Sequence, residues 1–166
     1  MDRDLTAVDE QHLQRCVELA SLALENGDDP FGSVLVDATG VGLREAVNRE
    51  ATDDDPTAHP EFELARWAIA NLTPEQRRSS TVYTSGEHCP MCAAAHGWAG
   101  LGRIVAAVSS AQLSQWRASW GLPAGPVAPL PVSEVLPGVV AIVSVPPFDA
   151  QICEVHERAM RRRRDG

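Results

Sequence analysis

The chain has 166 residues, with 23 Asp and Glu against 14 Arg and no Lys, and a formal net charge of -9. This length suits one domain spanning 1–166, and a 44 % hydrophobic share supplies a core and argues against intrinsic disorder. The acidic balance speaks against a broad nucleic-acid footprint. No apolar run reaches the ~18–20 residues of a membrane span, and the charged opening residues lack the apolar centre of a signal peptide.

In chain order, residues 7–26 carry Leu13, Val17, Ala20 and Leu24 at helical spacing, with Gly27 as a natural stop. Residues 31–37 and 41–48 read as antiparallel strands around a turn at 38–40. The polar stretch 49–57, with Asp53, Asp54 and Asp55, reads as a solvated loop. A helix follows over 60–72, with Phe62, Ala65 and Ile69 at helical spacing. A short strand at 81–85 precedes a small-residue helix over 90–99. The continuous apolar run 104–108 suits a strand buried on both faces. Residues 111–120 form a short helix, 121–138 a long Pro- and Gly-rich connection, 139–145 a last strand and 149–164 a last helix. This alternation implies a mixed sheet covered by helices.

Cys16 and Cys153 lie in helical patterns and read as small core residues. With Cys89 and Cys92 in a CxxC, four cysteines do not make a disulfide scaffold, and the chain reads as a reduced, cytoplasmic protein. Arg161, Arg162, Arg163 and Arg164 close the chain and read as a solvated helix end.

The chemistry concentrates in His59-Pro60-Glu61 and Cys89-Pro90-Met91-Cys92. Proline favours the first helical position and pushes the residue before it out of the α region, so His59 and Cys89 should each cap a helix. With His59 outside its helix, His59 and Glu61 can face one point. Cys92 returns to the point faced by Cys89 after about one turn. Two Cys and one His suit Zn²⁺ with an open fourth position, and Glu61 is placed to act as a base. A structural zinc site or a redox CxxC module is the competing reading, and His96 is a candidate fourth ligand that reads better as a packed helix residue.

Residues 30–36 (PFGSVLV), 48–49 (NR), 55–61 (DPTAHPE) and 85–92 (SGEHCPMC) resemble the zinc-dependent cytidine deaminase superfamily, within the branch of guanine, cytosine and tRNA adenosine deaminases. The resemblance covers residues 10–110. It implies a three-layer α/β/α fold with a mixed five-stranded sheet, and hydrolytic deamination of a free guanine-like or cytosine-like base by water activated at zinc. It further implies zinc on His59, Cys89 and Cys92, and proton transfer by Glu61. Asn48, Phe31, Pro60 and His88 would meet the substrate, and Glu87 would orient the metal site. Phe148 and Asp149 offer a weak lid. A homodimer is expected through the small-residue helix at 91–99. Trp98, Trp116 and Trp120 read as core or dimer-interface residues. A tRNA adenosine deaminase is the alternative; it would need basic surface at the site.

Pro60 stands where the family usually has Ala, so no backbone N–H is available there for a substrate carbonyl. His88 stands where the family usually has Pro, and reads either as a loop residue or as a pocket donor. Residues 109–112 (SSAQ) lack the acidic residue usual after the fourth strand. These departures touch substrate recognition and leave the metal and proton chemistry intact.

Overall fold

The computed structural model describes residues 5–165; the first four residues of the charged opening stretch lie outside the described residues. Helix α1 (Ala7–Glu25) starts in a capping box in which Thr6 and Asp9 satisfy each other's backbone N–H groups. Strands β1 (Gly32–Val36) and β2 (Gly42–Val47) pair antiparallel. The stretch expected as a loop holds a one-turn helix, α2 (Glu50–Asp53), started by the buried carboxylate of Asp28, which accepts from the Ala51 and Thr52 backbone N–H groups and the Thr52 hydroxyl. Helices α3 (Pro60–Asn71) and α4 (Pro74–Arg78) lead to β3 (Thr81–Gly86). Then come α5 (Pro90–Ala99), β4 (Arg103–Val108), α6 (Ser110–Ser119), α7 (Val132–Val135), β5 (Ala141–Val143) and α8 (Phe148–Asp165). The long connection thus contains a helical turn, and the last strand is shorter than its apolar run suggests.

The sheet runs β2-β1-β3-β4-β5, with β1 antiparallel to both neighbours and β3, β4 and β5 parallel. Strand alternation divides the side chains between two layers. Val34 and Val36 face Leu13, Cys16, Val17 and Ala20 of α1, together with Phe148 and Ile152 of α8. Leu35 faces Leu64 and Ala68 of α3. Ile104 meets Ala93 of α5 and Val132 of α7. Helix α1 rests on the strand backbone at Gly32, where a Cβ would overlap Leu19 Cβ and lie 2.8 Å from the Ala20 nitrogen.

Several expectations change in three dimensions. The buried face of α3 carries Leu64, Ala65 and Ala68, while Ile69 is 55 % exposed, because the helix packs through its smaller side chains. Cys16 is core, but Cys153 is only half-buried. Phe148 is buried against α1 and is no lid. The terminal arginines are engaged: Arg162 donates to the Leu24 carbonyl at 2.9 Å, Arg164 to the Trp120 carbonyl at 2.7 Å, and Arg163 pairs with Asp29. Arg162 thus adds a donor to a carbonyl that the Gly27 N–H already engages at the end of α1, and Arg164 meets one at the end of α6. No described helix is long and apolar enough to cross a membrane.

Candidate active site

Two proline-started helices meet beside the sheet. His59 and Cys89 are N-caps in extended conformation, each followed by Pro at the first helical position. His59 Nδ1 lies 3.6 Å from the sulfurs of both Cys89 and Cys92, and the three ligand atoms all lie within 4.8 Å of one another. Two thiols and one imidazole converging at that spacing fit Zn²⁺ and leave a fourth tetrahedral position to a non-protein ligand. Hydrogen bonding from the Cys92 thiol pulls the Cys89 sulfur down to about 4 against the opposing effect of burial, with His59 assisting. The Cys89 sulfur in turn pushes the His59 imidazole up to about 9. Beside that thiolate, and buried next to Glu61, the Cys92 thiol is pushed up. A divalent cation at the shared point favours both thiolates and the neutral imidazole.

Glu61, 6 % exposed, is the second residue of α3, in its first turn. Its Oε1 accepts from the Thr84 hydroxyl at 2.6 Å and the Ser33 hydroxyl at 2.9 Å. Burial pushes its carboxyl up, and the two hydroxyls pull partly against that shift. Ser33 and Thr84 were not singled out from the sequence; Ser33 is the lone hydroxyl of an apolar β1, whereas Thr84 is one of several hydroxyls in β3 and carries no such signal.

Asn48 is 1 % exposed at the end of β2. Its backbone N–H donates to the Phe31 carbonyl at 3.0 Å. Its side-chain Nδ2 donates to Glu50 Oε2 at 3.0 Å, and its Oδ1 accepts from the Glu50 backbone N–H at 3.0 Å. The other oxygen of Glu50 lies 3.1 Å from His59 Nε2. Glu50 also escaped the sequence reading, since it falls in the stretch taken for a loop. The three neighbouring aspartates are exposed as expected, with Asp53 paired to Arg49.

Phe31 lies against Gly86, where a Cβ would be 3.0 Å from the ring, and packs edge-on against His156 of α8 with ring centres 5.0 Å apart. Burial, with Arg117 and Arg163 nearby, pushes His156 down to about 4, and its Nε2 is buried without a hydrogen-bond partner. Pro60 is buried at the first position of α3.

Glu87 and His88 both have their surroundings set by packing. Glu87 accepts from the backbone N–H groups of Ser110 and Val132, both at 2.7 Å, and so holds the starts of α6 and α7. His88 turns into the protein: it is 1 % exposed and packs edge-on against His96 at 5.1 Å, and its Nδ1 is buried without a hydrogen-bond partner. His96 itself bonds the Gly102 carbonyl at 2.9 Å, and it is not among the residues that gather at the metal point.

Over 91 residues the chain is 41 % identical to guanine deaminase of Bacillus subtilis, covering 54 % of this chain and 58 % of that one. Over 112 residues it is 31 % identical to a probable cytosine deaminase of Schizosaccharomyces pombe, covering 66 % of each. The matched stretches therefore span between about half and two thirds of these curated relatives. The fold is also that of a guanine deaminase from Nitrosomonas europaea, with a TM-score of 0.72 at 20 % identity over 96 % of this chain and 87 % of that one. Residues 6–108 match the model of the cytidine and deoxycytidylate deaminase zinc-binding region, and the chain belongs to that family.

Proposed function

We propose that this protein is one zinc-dependent domain that hydrolytically deaminates a free nucleobase of the guanine or cytosine type, releasing ammonia. The observation that carries this reading is a buried carboxylate, Glu61, held by two hydroxyls next to a His59, Cys89 and Cys92 cluster that leaves one metal position to a non-protein ligand. A purely structural zinc site has no use for that carboxylate, and a redox dithiol needs neither it nor His59.

When bound, zinc supplies the Lewis acidity that makes water nucleophilic at neutral pH. Glu61 would take one proton from the attacking water and pass it to a ring nitrogen of the base, then take the remaining proton from the added hydroxyl and hand it to the amine, so that the carbonyl forms as the C–N bond breaks and ammonia leaves. Burial suits the carboxyl to this traffic, because a raised pKa brings it closer to the operating pH. Asn48 presents its remaining amide capacity to the ring edge. Phe31 forms the apolar wall. Pro60 leaves the substrate carbonyl without the backbone donor usual in the family.

A homodimer in the cytoplasm fits the surface and the cysteines. The small residues of α5 serve the chain's own core, since Ala93 is buried and a Cβ on Gly97 would strike Leu136. Trp98 instead projects outward, 90 % exposed, with Ile69 standing out from the neighbouring α3. Two large apolar side chains on packed helices suit a second copy. The free thiols suit a reducing compartment. A tRNA substrate is disfavoured because Arg162, Arg163 and Arg164 are occupied by groups of this chain.

The test is ammonia release across aminated purines and pyrimidines, with zinc content measured on the same preparation. Turnover of a free base by protein holding about one zinc per chain is the expected result. Zinc-free protein, or zinc-loaded protein inert on every free base, overturns the reading.

A further inference from the structure

The Glu50 carboxylate stands between two groups that the reading above assigns to different tasks. One oxygen reaches the metal-ligand histidine, with Oε1 3.1 Å from His59 Nε2. The other reaches the substrate-facing asparagine, with Oε2 3.0 Å from Asn48 Nδ2. We propose that Glu50 is a positioning residue that sets the tautomer of the zinc ligand His59 and the orientation of the Asn48 amide at once.

A neutral imidazole carries one N–H, and a carboxylate can only accept. A proton on Nε2 facing Glu50 leaves the lone pair on Nδ1, the atom that faces Cys89 and Cys92. Such a carboxylate–histidine pair also makes the ligand more basic toward the metal. On the other side, Asn48 is read twice by the same residue. Its Nδ2 meets the Glu50 carboxylate and its Oδ1 meets the Glu50 backbone N–H, 3.0 Å away. A flipped amide would set oxygen against oxygen and N–H against N–H, so only one orientation is satisfied. One N–H and one lone pair of Asn48 are left for a ligand, in a fixed direction.

Glu50 can hold both neighbours because its own backbone is held. Helix α2 is anchored by Asp28, 4 % exposed, whose carboxylate takes the Ala51 and Thr52 N–H groups at 2.8 Å. The Arg49 N–H bonds the Ala58 carbonyl at 3.0 Å and closes the loop that returns to His59. Substrate orientation and metal affinity thus depend on one short helix, a coupling that the spacing of the metal motifs does not reveal.

This inference rests on the zinc and free-base reading, and the experiment separates the two. Zinc is titrated away with a chromophoric chelator from wild type, Glu50→Ala and Glu50→Gln, and kcat and KM for guanine, or the base found active in the panel above, are measured on fully loaded protein. Glu50→Ala should lose zinc at roughly 10–100-fold lower chelator strength. Glu50→Gln can still accept from His59 through its amide oxygen but offers N–H to Asn48 Nδ2. It should keep most of the zinc affinity while raising KM about tenfold, with kcat changed less. That rise should vanish in an Asn48→Ala background, where no amide remains to orient. A residue that merely supported the fold would lower thermal stability without this split. Equal zinc retention in Glu50→Ala and wild type overturns the proposal, as does an unchanged KM in Glu50→Gln. Should Glu50→Ala misfold, the isosteric Glu50→Gln decides alone. A wild-type protein that holds no zinc, or turns over no free base, brings down the parent reading and this inference with it.

Discussion

Thr84 Oγ1 lies 2.6 Å from Glu61 Oε1, so a strand hydroxyl grips the carboxylate placed to move protons two residues past the metal-ligand histidine. Ser33 supports the same oxygen from β1 at 2.9 Å. The carboxylate is thereby aimed and partly solvated by protein, while burial still holds its pKa above the ordinary value of 4.5.

Replacing Glu61 with Gln should lower turnover at least 10²–10⁴-fold and leave the zinc content unchanged. The same variant should stabilise zinc-free protein, and the sign follows from the raised pKa. The folded state resists ionising Glu61, which costs stability above the folded pKa and nothing below 4.5. The Tm gain of Glu61→Gln should therefore be largest at pH 8 and fade toward pH 4. Thr84→Val removes a donor to the carboxylate and should move the acidic limb of the kcat/KM profile to higher pH. A limb that stays in place would show that Thr84 does not tune Glu61.

Asp9 fastens α1 to the sheet. Burial alone would push its carboxyl up, but Arg103 at 2.8 Å, the Thr6 backbone and the Tyr83 hydroxyl at 2.7 Å outweigh it and hold the group well below the usual carboxylate range. Asp9→Asn should cost about 2–3 kcal/mol, less than a fully buried pair because Arg103 is 31 % exposed. The stabilisation from Asp9 is present above its ordinary value of 3.8 and is lost as the pH falls below it. Urea midpoints at pH 7 and pH 3 would check both: the gap between wild type and variant should narrow at the lower pH.

Pro60→Ala restores an N–H at the first position of α3. A carbonyl buried without a partner costs on the order of 1–3 kcal/mol. The variant should therefore favour cytosine or guanine, relative to an aminated base lacking a ring carbonyl, by about 5–150-fold in the ratio of kcat/KM values. An unchanged ratio at equal zinc content would remove Pro60 from substrate choice.

Trp98 carries the prediction on assembly. Wild-type protein should sediment at twice the 17.8 kDa chain mass, and Trp98→Glu should sediment as monomer without loss of thermal stability at low concentration. A monomeric wild type at micromolar concentration would reject the dimer.

The metal cluster and the order of the five longer helices were legible in the sequence because their causes are local. Proline at 60 and 90 starts two helices and forces His59 and Cys89 outside them, and the spacing of Cys89 and Cys92 is one turn. The sheet of β1 to β5 likewise follows from apolar runs punctuated by turns. The roles of Glu50, Ser33 and Thr84 were not legible, because each depends on a partner brought close by the sheet or by the loop that Asp28 anchors. The surroundings of His88 and Glu87 were not legible either: His88 packs against His96, and Glu87 accepts from the N–H groups of Ser110 and Val132. The terminal arginines read as solvent-facing until the ends of α1 and α6 present carbonyl acceptors to them. Residue type and spacing along the chain determine which groups can bind a metal; tertiary structure decides which polar groups still need a partner, because a buried donor or acceptor takes the nearest one available.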